Sequence, residues 1–149
     1  MSQSIFFAWF RDKTNPSSGV AAAGPVTIAT ALTKLVRIDT RNFTRLMVDI
    51  VNGGVAFNAF QVRIEINPDQ PVPLIFMNDA TDFSTSDSIF LGSTLNDSTA
   101  AMSEATDMTN LGPNWSAILG FEVRAIATVE LWASVGSGSS NVQVYWGAN

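Results

Sequence analysis

The chain has 149 residues, 46% of them hydrophobic and 14% charged, with a net charge of −5, which suits one ordered domain with a core of its own. It contains no cysteine and no histidine, so disulfides, thiolate nucleophiles, soft-metal sites, the Ser-His-Asp arrangement and most transition-metal chemistry are excluded. No apolar run approaches the ~18 residues of a membrane span, so a soluble protein is predicted.

Residues 1–24 open with Ser4-Ile5-Phe6-Phe7-Ala8-Trp9-Phe10 and continue through a stretch rich in Ser, Gly, Ala and Pro. The apolar run lacks a basic leader and runs into Arg11-Asp12-Lys13, so it does not read as a secretory signal. Each large apolar side chain here offers ~1.5–3 kcal/mol on full burial. Ordering the backbone costs ~1–2 kcal/mol per residue, so this segment cannot hold itself in place. It is predicted to be either the first strand of a sandwich or an arm lying on another molecule, with the sandwich domain spanning 25–149.

Val26–Asp39 interleaves Thr and Ala with Val, Ile and Leu, which favours strand, with a break at Ala29-Thr30-Ala31. Phe43–Ile66 reads as two strands. Leu46, Val48 and Ile50 alternate with polar neighbours in the first, and Phe60, Val62, Ile64 and Ile66 in the second. Asn52-Gly53-Gly54 lies between them and tolerates positive φ, so a tight hairpin is predicted. Pro68-Asp69 presets the next turn, and Pro71 and Pro73 mark Leu74–Met77 as an edge strand.

Asn78–Asn114 is polar and irregular, with an apolar island at Ile89-Phe90-Leu91. A long acidic loop is predicted, interrupted by a short strand at Ser88–Leu91 and by one or two helical turns over Asp97–Met108. Strands follow at Trp115–Arg124, Thr128–Val135 and Asn141–Gly147, the last two joined through Gly136-Ser137-Gly138-Ser139-Ser140. About eight strands at this spacing predict an all-β fold, an antiparallel β-sandwich in jelly-roll form. The strand Asn141–Gly147 has neither charge nor proline, so something is expected to lie against it.

The charge is unevenly placed. Residues 1–63 carry seven Lys or Arg against three Asp, whereas 64–123 carry nine acidic residues and no basic one. Opposite signs on one small domain can steer copies head to tail, or the acidic half can be a solvated loop. Nucleic-acid binding is disfavoured, since phosphate contacts need a clustered basic surface.

Three candidate sites stand out. Asn78-Asp79-Ala80-Thr81-Asp82 and Asn96-Asp97 are oxygen-rich, but neither has an EF-hand spacing, and Asp and Asn also close ordinary turns. Asp79 and Asp82 form a carboxylate pair with no Arg, Tyr or Trp nearby to shape a pocket, so no enzyme and no cofactor are predicted. Trp132 and Tyr145 fall on the outer phase of the last two strands, within reach of each other if those strands pair. Such a pair suits a subunit interface, a sugar-stacking platform, or packing under the arm or loop. The predicted contact residues are Ile5, Phe6, Phe7, Trp9, Phe10, Trp132 and Tyr145.

Two segments resemble small β-sandwich proteins of tailed-bacteriophage virions, of the capsid decoration or cement type. One is Gly53-Gly54-Val55-Ala56-Phe57-Asn58-Ala59-Phe60-Gln61-Val62, running on to Pro68-Asp69. The other starts at Phe121-Glu122-Val123-Arg124, continues through Val129-Glu130-Leu131-Trp132-Ala133-Ser134 and ends at Val142-Gln143-Val144-Tyr145-Trp146-Gly147. The resemblance implies a non-enzymatic structural protein, made in the host cytoplasm and sited in the virion. It further implies binding to the major capsid protein or other virion proteins, often as a trimer, with no nucleic acid or membrane partner. A neck, tail or head-fibre component has the same texture, and a carbohydrate- or receptor-binding sandwich is the alternative class.

Overall fold

Alternation decides which side chains of a strand share a face, and in the computed structural model it produces two packed antiparallel sheets. The structure describes residues 21–66, 72–78, 89–96, 103–104, 108 and 111–149. Among these are ten strands: β1 (Ala21–Ile28), β2 (Thr33–Asp39), β3 (Arg45–Asn52), β4 (Phe57–Glu65), β5 (Leu74–Asn78), β6 (Phe90–Asn96), β7 (Ser103–Glu104), β8 (Ser116–Glu122), β9 (Thr128–Val135) and β10 (Ser140–Ala148). One sheet has the order β1-β10-β3-β8-β6-β7, the other β2-β9-β4-β5.

The pairings have a simple logic. β1 pairs with β10, β2 with β9, β3 with β8 and β4 with β5, all antiparallel. The chain is one long antiparallel ribbon, doubled back between β4 and β5. Rolling that ribbon brings β3 beside β10 and β4 beside β9. This is the jelly roll that the strand spacing predicts. The short β6–β7 pair extends the larger sheet beyond β8.

One expectation fails. The stretch Phe43–Ile66 is not a hairpin, because β3 and β4 lie in different sheets. Their connection is an arch over the top of the sandwich. The Gly53 N–H donates to Asn141 O and the Asn52 N–H to Trp115 O, so the turn bonds to other strands instead of closing on itself. Gly53 and Gly54 are not among the residues with positive φ, which a two-residue hairpin turn requires. The β9–β10 connection likewise crosses between the sheets.

The core is where the two inner faces meet. Leu46, Val48 and Ile50 of β3 and Val142 and Val144 of β10 face Phe60, Val62 and Ile64 of β4 and Val129, Leu131 and Ala133 of β9. All are buried, and Phe60, Phe90 and Phe121 are the largest of the fully buried side chains. Phe57 stacks on Phe60 with ring centroids 6.0 Å apart, and Phe90 tilts against Phe121 at 5.6 Å.

The break at Ala29-Thr30-Ala31 is real and carries the chain from one sheet to the other. β5 ends the four-stranded sheet, as its flanking prolines predict. The strand expected at Ser88–Leu91 is β6, which runs on to Asn96. The last strand, β10, has β1 on one side and β3 on the other. Of the predicted helical turns over Asp97–Met108, Ser103 and Glu104 are instead extended and pair with β6, Met108 lies in a 3₁₀ turn, and the rest falls outside the described residues. Met108 is fully buried in the core. Residues 1–20, with Ile5, Phe6, Phe7, Trp9 and Phe10, lie outside the described residues, as do Asp79 and Asp82. The last residues of the segment 1–24 belong to β1, whose pairing with β10 starts at Ala21. No helix among the described residues is long and apolar enough to cross a membrane.

Candidate functional site

On the outer face of the four-stranded sheet, the register aligns side chains into rows across β2, β9, β4 and β5. One row runs Arg37, Glu130, Arg63, Ile75. The next toward the β9 C-terminus runs Lys34, Trp132, Gln61, Asn78, and on the other side Asp39, Thr128 and Glu65 form a third. Opposite charges thus fall on neighbouring strands, where cross-strand pairs stabilise a sheet.

Arg37 is the hub. Its Nη1 and Nη2 donate to Glu65 Oε1 and Oε2 at 2.8 and 3.0 Å, and Nη1 also donates to Glu130 Oε2 at 2.9 Å. Both carboxylates are buried although they lie on an outer face, with Glu130 only 3% exposed. The two-pronged bond from Arg37 holds the Glu65 carboxyl below its ordinary range, and the paired carboxylates in turn raise the Arg37 guanidinium above its own. Near one end, Arg41 clasps Asp39 through Nε and Nη2 and brings its carboxyl down to about 2. Arg37, Asp39, Arg41, Glu65, Ala127 and Thr128 line a depression of about 320 Å³. Its arginines and carboxylates are already ion-paired with one another. A carboxylate held ionised, with both oxygens on a guanidinium, is a poor proton acceptor and a poor acid at neutral pH.

Trp132 anchors the other end. Its indole N–H donates to Glu130 Oε1 at 3.0 Å. The Arg63 guanidinium lies 4.0 Å from the centre of its ring, and Lys34 Nζ lies 5.9 Å away. Gln61 Oε1 accepts from Arg63 Nε and Nη2 at 3.1 and 3.0 Å, which fixes the plane of the fork. An arginine stacked on an aromatic ring keeps donors directed outward with little entropy left to lose. Beside Arg63 stands Ile75, 55% exposed, and Leu74, Ile66 and Val72 are exposed near this edge of the sheet.

The predicted pairing of Trp132 with Tyr145 does not occur. Trp132 is on β9 and Tyr145 on β10, so they stand on outer faces of opposite sheets. The phase of each residue follows from alternation, but the neighbouring strand does not. Tyr145 is half-buried and sits in register between β1 and Asp49 of β3, which is itself 1% exposed. Trp132 is half-buried too, against Arg63 and Glu130 of its own chain. The residues missed by sequence reading are Lys34, Arg37, Arg63, Glu65 and Glu130. Their only signal was that each falls on the polar phase of its strand; which charges face each other required the register.

No protein family matches the chain, and no curated protein resembles it in sequence. Among solved structures, it is similar to the SPBc2 prophage-derived protein YomS, at 13% identity and a TM-score of 0.43. That alignment covers 85% of this chain and 90% of the other.

Proposed function

We propose that this chain is a non-enzymatic structural protein of a phage virion, which binds and stabilises the capsid surface as a decoration, or cement, protein. The observation that carries this reading is the cluster of Trp132, Arg63 and Ile75 on three adjacent strands, with Arg63 in register with Ile75 and stacked diagonally on the indole of the next row. Trp and Arg are the residues that dominate protein–protein interfaces, and an exposed apolar neighbour on β5, the last described strand of the sheet, extends the contact. The resemblance of the two segments to decoration proteins points the same way. In this reading the partner is the major capsid protein or another virion protein, the aromatic segment Ile5–Phe10 adds to the contact, and the copies associate as trimers.

The test is co-sedimentation with capsids of the phage concerned, with light scattering of the free protein. Binding that is lost on Arg63→Glu and on deletion of residues 1–10, with unchanged far-ultraviolet circular dichroism, supports the proposal. A folded protein that ignores capsids and other virion proteins overturns it. The alternative of a sugar-binding module loses its two-aromatic platform, since Trp132 and Tyr145 are on opposite faces and Arg63 already occupies one face of the indole. A blank glycan array would agree.

A further inference from the structure

Asn52-Gly53 is the only Asn-Gly pair in the sequence, and it sits at the arch that passes the chain from one sheet to the other. We propose that Asn52 is a site of spontaneous covalent modification, deamidating through Gly53 when the β3–β4 arch opens and held unreactive while the arch is closed. The proposal stands independently of the virion reading.

The chemistry needs no cofactor. The deprotonated backbone nitrogen of Gly53 attacks Cγ of Asn52. A new C–N bond closes a five-membered succinimide, the Cγ–Nδ2 bond breaks, and nitrogen leaves as ammonia with the proton taken from solvent. Water then opens either carbonyl of the ring, giving an aspartyl or an isoaspartyl residue at position 52. Glycine makes this easiest, because it has no Cβ to obstruct the closing ring and its backbone samples the required angles freely.

The folded arch blocks each requirement. The Gly53 N–H, whose nitrogen is the nucleophile, donates to Asn141 O at 2.8 Å. The electrophile is clamped: Nδ2 donates to Val55 O at 2.9 Å and Leu111 O at 2.7 Å, while Oδ1 accepts from the Gly54 N–H at 3.3 Å and from the Ser140 hydroxyl. Every donor and acceptor of the amide is used, so turning it toward Gly53 N breaks bonds that water cannot replace at a residue with 0% exposure. Even a Cβ at Gly53 would lie 2.8 Å from Asn141 O, so the arch has little room to deform.

The product does not fit the site it came from. A carboxylate at position 52 turns an acceptor toward the carbonyls of Val55 and Leu111, where the amide had presented two hydrogens. A buried carboxylate with one oxygen set against two carbonyls is costly, and the isoaspartyl form also lengthens the backbone within a tight arch. A chain that reacts while open therefore cannot close again as before. The arch converts a reversible opening into a permanent one, and the fraction of time it spends open sets how long a copy survives.

Peptide mapping by mass spectrometry tests this on the full chain, held folded or in urea in the same mildly alkaline buffer. Conversion of amide to acid at Asn52 is expected to be at least about tenfold slower in the folded protein, because only the open fraction reacts. Ser140→Ala, which removes one clamp on Oδ1, is expected to raise the folded-state rate toward the urea rate. Chains deamidated in urea are expected not to regain the native circular dichroism and urea midpoint on dilution, whereas briefly exposed chains do. Equal rates in the two states, no conversion in urea, or full refolding of the modified chain would each overturn the proposal.

Discussion

Replacing Trp132 by Phe separates the two roles of this side chain. The smaller ring still offers Arg63 a face, but the indole N–H that bonds Glu130 Oε1 at 3.0 Å is gone. Glu130 is 3% exposed, so water does not readily take the place of that donor, and Lys34 Nζ, 3.8 Å away, approaches the other oxygen. A hydrogen bond to a charged group contributes ~1.5–3 kcal/mol. With a urea dependence of about 2 kcal/mol per molar, the unfolding midpoint of Trp132→Phe is expected to fall by ~0.75–1.5 M. The melting temperature should fall by ~4–10 °C for a chain of this size. Circular dichroism is the right readout, since the substitution also removes one of four tryptophans. Arg63→Ala alone should cost ~0.5–1 kcal/mol, the worth of an exposed cation–π contact. A loss below ~0.5 kcal/mol in Trp132→Phe would refute the view that the indole N–H holds Glu130 in place.

Phe60→Ala, at a fully buried site stacked on Phe57, is expected to cost ~3–5 kcal/mol by chemical denaturation. Ile75→Ser, on the exposed edge, should change stability by less than ~0.5 kcal/mol while weakening capsid co-sedimentation. Gly24→Ala places a Cβ 2.8 Å from Val142 O at a φ of +105°, and should cost ~1–3 kcal/mol. Amide exchange should then quicken along the β1–β10 pairing. Asp39 and Glu65 both have carboxyls depressed in the folded state, so the stability they contribute is complete above the ordinary values of 3.8 and 4.5 and is lost as pH falls through the folded values. Carbon-13 titration should place Asp39 at about 2, returning toward 3.8 in Arg41→Ala. A midpoint near 3.8 in the unaltered protein would show that the Arg41 clasp does not form in solution.

Much of the architecture was legible in the order of residues. Val129, Leu131 and Ala133 alternate with Glu130, Trp132 and Ser134, and β9 spans the predicted Thr128–Val135 with its apolar members inward. Pro71 and Pro73 marked β5 as an edge, and the spacing of turns gave the jelly roll. These features are local. Alternation and proline act within a few residues, so they hold whatever the strand later meets.

Partnership was not legible. Period two tells which face a side chain takes, but any strand of suitable length can supply the same ladder of N–H and C=O groups. Asn52-Gly53-Gly54 looks like a hairpin turn, yet Asn141 and Trp115, far along the chain, take its backbone hydrogen bonds, and Leu111 and Ser140 take the Asn52 side chain. Rolling the ribbon therefore put β3 and β4 in separate sheets, parted Trp132 from Tyr145, and brought Glu65 and Glu130 each within hydrogen-bond distance of Arg37. The sequence by itself determined the strands and their inward faces. The tertiary structure decided the neighbours, because backbone pairing is indifferent to identity and only the closing of the whole core selects one set of partners.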